Sequence, residues 1–136
     1  MTGVYAVRGD EPIFVVERMA QVLVLKLIRD PASSNYRSKQ FEYNRMMKTV
    51  GEPETKSLLF DFHHCVNVDS VTMGIVIALT LRLAESGGQS AMCGCNAGLK
   101  LEIARLNATA PFGKAAVWTH YPTRRHAVES LTSAIN

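Results

Sequence analysis

Cysteine is scarce in this chain of 136 residues: Cys65, Cys93 and Cys95 are an odd three, too few for the disulfide framework that staples small secreted domains. The expectation is a reducing compartment. No apolar run reaches the ~18 residues that a membrane span requires, and the longest, residues 74–83, is interrupted by Arg82. The opening Met1-Thr2-Gly3-Val4-Tyr5 lacks a basic region followed by an apolar one, so no secretion signal is expected and the cytoplasm is the expected location. Nor is there a stripe of charge. The formal +3 comes from Lys and Arg scattered along the chain, which speaks against a nucleic-acid surface. Internal repeats and low-complexity segments are missing too. What is present is a hydrophobic content of 47%, ample for one core, in a length that suits one domain.

Residues 1–12 end in the turn signal Gly9-Asp10-Glu11-Pro12 and read as an extension or an edge strand, leaving residues 13–136 as the domain. Residues 13–17 and 22–28 are rich in β-branched side chains, which suggests a hairpin. In the second run Leu23, Leu25 and Leu27 alternate with Val22, Val24 and Lys26, and the leucine face is expected to be the more buried. The Pro- and Ser-bearing stretch 30–35 is a loop by composition. Over residues 38–50 the spacing becomes helical. Phe41, Met46 or Met47 and Val50 share one face, and Arg37, Lys39, Glu42, Arg45 and Lys48 supply the wet side.

Residues 57–62 are apolar enough for a central strand covered on both faces. A helix then runs from Asp69 or Ser70 to Gly87-Gly88, a pair suited to the left-handed turn after a helix. A strand follows at 89–93, and a helix capped by Asn96 and striped by Leu99, Ile103 and Leu106. The last strand is expected at 115–118. A final helix from Thr123 turns Ala127, Leu131 and Ala134 or Ile135 inward, and Arg124, Arg125 and Glu129 outward. This alternation predicts an α/β domain: a mostly parallel central sheet, an N-terminal hairpin and about four packed helices.

The chain is organised around Asn67-Val68-Asp69-Ser70-Val71-Thr72-Met73-Gly74, between the apolar strand 58–62 and the apolar run 75–79. Asp69 and Ser70 are strong N-cap residues, since their oxygens accept bonds from amides that a helix start leaves unpaired. A hydroxyl there lies at the positive end of the helix dipole, where a phosphate is stabilised. The same pair also reads as a plain helix cap.

The order Leu58-Leu59-Phe60-Asp61-Phe62, five intervening residues, then Val68-Asp69-Ser70-Val71-Thr72-Met73-Gly74 resembles the core of the sulfate-transporter and anti-sigma-factor-antagonist (STAS) domain. Gly87-Gly88 and the short run Ser90-Ala91-Met92 continue the likeness, which spans residues 13–135. In stand-alone members, the serine after the loop aspartate is phosphorylated by a partner that is both a serine kinase and an anti-sigma factor. The unphosphorylated form binds that partner and frees the sigma factor. The resemblance therefore implies a phosphoacceptor at Ser70, a partner surface made of Asp69, Ser70, Val71, Thr72, Met73 and Gly74, and a binding module rather than an enzyme. It implies an anti-sigma factor serine kinase as partner, with a phosphatase as a further candidate, and no cofactor, membrane or nucleic acid. The chain departs from the family pattern at Val71, where a second hydroxyl is usual, and at Thr72, where glycine is usual. A STAS scaffold subunit without the switch is the alternative on the same fold.

A rival reading from another class uses His63, His64, Cys65, Cys93 and Cys95, which follow two successive strands and are ligand types for zinc. Their spacing is not that of a known finger, and adjacent histidines point apart on an extended chain. Cys65 as a nucleophile with His63 or His64 as base lacks any marked oxyanion site, and free cysteines are commonly small buried hydrophobes. Trp118, His120 and Tyr121 read as packing at a strand end.

Overall fold

The computed structural model describes residues 12–109 and 118–135. Apart from Pro12, the expected N-terminal extension or edge strand lies outside the described residues. Strand β1 (Phe14–Met19) turns through Ala20, at φ 58°, into β2 (Val22–Leu27), and the two pair antiparallel with Phe14 opposite Leu27. Strands β3 (Ser57–Asp61), β4 (Gln89–Cys93) and β5 (Thr119–Tyr121) then add in parallel, giving one sheet in the order β1-β2-β3-β4-β5. Helices α1 (Tyr36–Val50), α2 (Ser70–Ala84), α3 (Ala97–Thr109) and α4 (Arg124–Ile135) alternate with the strands. The predicted α/β architecture is the observed one.

Each crossover steps one strand further in the same direction, so a common handedness puts α1, α2 and α3 on one face. There Leu25, Leu58, Phe60 and Met92 pack with Met46 of α1, Val76 and Leu79 of α2 and Ile103 of α3. The opposite face is covered by α4, where Val22, Val24, Leu59, Ala91 and Cys93 meet Ala127 and Leu131. This corrects the expectation for β2. Its valines are as fully buried as its leucines, because α4 covers the side that alternation alone would leave wetter. Strand β3 is buried along its whole length, as a central parallel strand should be.

The facing of α1 is the larger correction. Phe41 is 61% exposed, whereas Lys39 and Glu42, assigned to water, are buried. Buried charge is costly unless paired, and both are paired. Glu42 Oε1 accepts the amides of Ile13 (2.7 Å) and Phe14 (2.9 Å), and Oε2 accepts Arg45 Nε (2.6 Å). Lys39 reaches Asp69. These bonds rotate the helix so that Phe41 faces outward.

The last strand described is Thr119–Tyr121; of the residues 115–118 expected to form it, 115–117 lie outside the described residues. Trp118 is buried just before the strand and donates its indole N–H to Thr80 Oγ1 (2.8 Å), while His120 and Tyr121 sit within the strand. In α4, Ala127 and Leu131 face the core as expected, but Ala134 is exposed and Arg124 is engaged by carboxylates. The side chains of Leu106 and Ile135 are outside the described residues.

Candidate functional site

Strand β3 ends at Asp61, and the chain runs over the C-terminal edge of the sheet before α2 begins. Asp69 has extended backbone angles (φ −91°, ψ 172°) and caps the helix, its Oδ1 accepting the amide of Thr72 at 3.2 Å. Its Oδ2 accepts Lys39 Nζ at 2.6 Å, from a lysine side chain only 7% exposed. Burial alone would raise the Asp69 carboxyl, but the hydrogen bonds from Lys39 and Thr72 outweigh it and hold the group below the usual aspartate value. Lys39, expected on the wet side of its helix, instead joins two helices through this contact, across 30 positions of chain.

Ser70 is the first residue of α2 and is exposed, with no hydrogen bond to its hydroxyl among the described residues. Val71 and Gly74 are exposed beside it, and a Cβ built on Gly74 would meet nothing within 4 Å. Thr72 is fully buried and Met73 nearly so. The six residues singled out thus divide into an outer set of Ser70, Val71 and Gly74, and an inner set that anchors the turn.

Two hollows flank the start of α2: Ser70 lines one, Val71 the other, and Gly74 borders both, so the three form a ridge. The larger, about 700 Å³, lies between the first turns of α2 and α3 and is lined by Asn67, Ser70, Met73, Ile77 and Leu99 among others. Asn96 bounds it, capping α3 by accepting the Leu99 amide (2.8 Å) and donating to the Val66 carbonyl (3.3 Å). The smaller, about 220 Å³, lies between α1 and α2 and is lined by Tyr36, Tyr43, Val71 and Ile75. Tyr36, 69% exposed, leaves apolar area in water on that side.

Of the five His and Cys residues considered as ligands, His63 and Cys93 come together and the other three do not join them. His63 Nδ1 lies 2.7 Å from Asp61 Oδ1 and 4.0 Å from Cys93 Sγ. His64 is exposed, and Cys65 and Cys95 are buried. The Cys95 amide donates to His120 Nε2 at 3.3 Å. Burial pushes the Cys65 thiol up to about 11 and those of Cys93 and Cys95 to about 12, so none is a ready thiolate. Cys65 Sγ donates to the Asn67 carbonyl and makes no hydrogen bond with either histidine, which removes the nucleophile reading. Asp61, absent from the residues singled out as ligands, joins His63 and Cys93. Burial would raise its carboxyl, but bonds from His63 and from Arg124 Nε (3.0 Å) hold it below the usual value.

No family model matches the chain, and no curated protein sequence does. Solved structures do. An anti-sigma-factor antagonist (STAS) domain protein from Planctomyces limnophilus superposes with a TM-score of 0.67 at 16% identity, covering 87% of this chain and 96% of that one. The Bacillus cell fate determinant SpoIIAA in its phosphorylated form gives 0.66 at 12% identity, covering 86% and 97%. A murine solute carrier 26 family anion transporter in its inward-facing state also gives 0.66, at 10% identity, covering 96% of this chain but 24% of the transporter. The protein therefore has the STAS fold. The chain spans nearly the whole of the two bacterial proteins and about a quarter of the transporter, so the fold expected from the sequence resemblance is the observed one.

Proposed function

We propose that the protein is an anti-sigma factor antagonist, a non-enzymatic binding module in the cytoplasm that docks an anti-sigma factor serine kinase around Ser70 and is switched off when Ser70 is phosphorylated. The observation that carries this reading is the state of Ser70: exposed, without a hydrogen-bond partner among the described residues, and at the first position of a helix whose cap is separately secured. A kinase can reach such a hydroxyl without unfolding the turn. The added phosphate carries close to two negative charges and lies at the helix N-terminus, which stabilises it, so the fold is kept.

The switch then acts on the partner. A surface packed over Ser70, Val71 and Gly74, with Asp69 beneath and Met73 at the cleft wall, would have to desolvate the phosphate, and that desolvation weakens binding. Thr72 contributes its backbone amide to the cap and no outer surface, so its difference from the family's usual glycine leaves the docking face unchanged.

The test is incubation with the cognate kinase and ATP, with the site mapped by mass spectrometry and binding measured by calorimetry. Ser70 should carry the phosphate. Ser70→Ala should bind like the unmodified protein, and Ser70→Asp should bind about a hundredfold or more weakly, since a desolvated unpaired charge costs about 3–5 kcal/mol. Equal affinity of the two variants, or phosphate on another residue alone, refutes the switch.

A further inference from the structure

The sheet's C-terminal edge holds a second cluster, apart from Ser70. A carboxylate oxygen of Asp61, a ring nitrogen of His63 and Sγ of Cys93 all lie within 4.8 Å of one another, with His63 Nδ1 2.7 Å from Asp61 Oδ1 and 4.0 Å from Cys93 Sγ. Asp61 and Cys93 are fixed by the sheet as register partners on β3 and β4, and both are buried. His63 reaches back over them from the loop, its side chain 40% exposed. Its ring lies against the backbone of Gly94, at φ +71°, where a Cβ would fall 2.5 Å from the ring. Glycine is therefore what lets the imidazole face inward.

Two functions use a Cys, a His and an Asp together, and the geometry separates them. In a nucleophilic triad the carboxylate and the thiol address opposite nitrogens of the imidazole. Here both face Nδ1, so a proton cannot pass across the ring from cysteine to aspartate. Three donors converging on one point is instead the arrangement of a metal site.

We propose that Asp61, His63 and Cys93 bind a divalent transition-metal ion of the zinc class, with water completing a tetrahedron from the exposed His63 side. The mixed oxygen, nitrogen and sulfur donors select such a borderline ion over magnesium or calcium, which prefer oxygen alone. On binding, Cys93 releases its thiol proton to solvent, and the imidazole proton moves by way of solvent from Nδ1 to Nε2, freeing the Nδ1 lone pair. Arg124 keeps its bond to Asp61 Oδ2, which orients Oδ1 toward the ion as outer-shell partners commonly do. Arg124 is itself held by Glu17 at 2.8 Å. With carboxylates at Glu17 and Asp61, a thiolate, one guanidinium and a dication, the formal charges cancel.

The test uses the reduced full chain titrated anaerobically with Co²⁺, whose spectrum reports both tetrahedral geometry and thiolate ligation. One equivalent should give tetrahedral ligand-field bands and a sulfur-to-cobalt charge-transfer band, both abolished by Zn²⁺. Cys93→Ser should remove the sulfur band, while Cys65→Ser and Cys95→Ser keep it. His63→Gln should weaken binding by about tenfold or more. His63 is exposed, so this variant carries the test if Cys93→Ser fails to fold by circular dichroism. The proposal is overturned if the wild-type chain shows no sulfur band, if His63→Gln binds with undiminished affinity, or if the band is lost with Cys65 or Cys95 instead.

Discussion

Lys39 and Asp69 make the contact that places Ser70, and removing the lysine's charge tests it. In Lys39→Met the apolar stem is kept while the ammonium is lost. The pair is short at 2.6 Å and unevenly covered, with 7% of the lysine side chain and 26% of the aspartate side chain exposed. Exposed pairs contribute about 0.2–1 kcal/mol, and breaking fully buried ones costs about 3–5 kcal/mol. This pair falls between, at about 1–3 kcal/mol. Asp69→Asn should cost a similar amount, because asparagine still caps the helix but carries no charge. Asp69→Ala should cost about 1 kcal/mol more, the worth of the cap itself. The double variant Lys39→Met with Asp69→Asn should then be more stable than the sum of the single losses implies, by about 1–2 kcal/mol. Urea titration of the four proteins measures this directly, and thermal melts should move by about 4 °C per kcal/mol for a chain of this size. A coupling below about 0.3 kcal/mol, within the scatter of unconnected sites, would refute the pairing and the account of how the Ser70 turn is held.

The core makes a graded prediction: Leu59→Ala and Leu79→Ala, both fully buried, should each cost about 2–5 kcal/mol, and Ile77→Ala, only partly buried at the cleft wall, less than half as much. Denaturant midpoints rank the three, and equal losses would contradict the packing described. Acid should unfold the protein through Asp61 and Asp69, whose carboxyls sit below their unfolded values. The stability they contribute is present above about pH 4 and is lost as pH falls through the lower folded values. Urea titrations across that range should show the decline, and it should flatten when both residues are replaced by asparagine.

Elements of strong period and clear punctuation were legible in the sequence. Strands β3 and β4 and the start of helix α2 lie within a residue or so of where the apolar runs and the Asp69 cap put them, and α2 ends at Ala84, a little short of the Gly87-Gly88 pair. The facing of α1 was not legible, because hydrophobic period assigns Lys39 and Glu42 to water and cannot see partners about 30 residues away. The pairing of Thr119–Tyr121 as strand β5 was not legible for a related reason. Residues 115–118 look more like a strand than Thr119–Tyr121, which owes its place to pairing with β4. At the candidate site, Asp69 and Ser70 carried a local signal, the cap. Lys39 and Arg124 carried none, and Asp61 looked only like the end of a strand until the sheet brought Cys93 beside it.

Lys39 and Glu42 stand three positions apart on α1, on one side of one helical turn. The first holds the cap of α2, and the second holds the amides that open β1, with Arg45 bonding the Phe14 carbonyl from the same turn. Helix α1 is thus a strut pinned at two places, and it cannot slide along its axis without stretching both. A pull on the start of β1 is borne by the helix that steadies Ser70, so tension at the hairpin and the posture of the docking ridge are mechanically one variable.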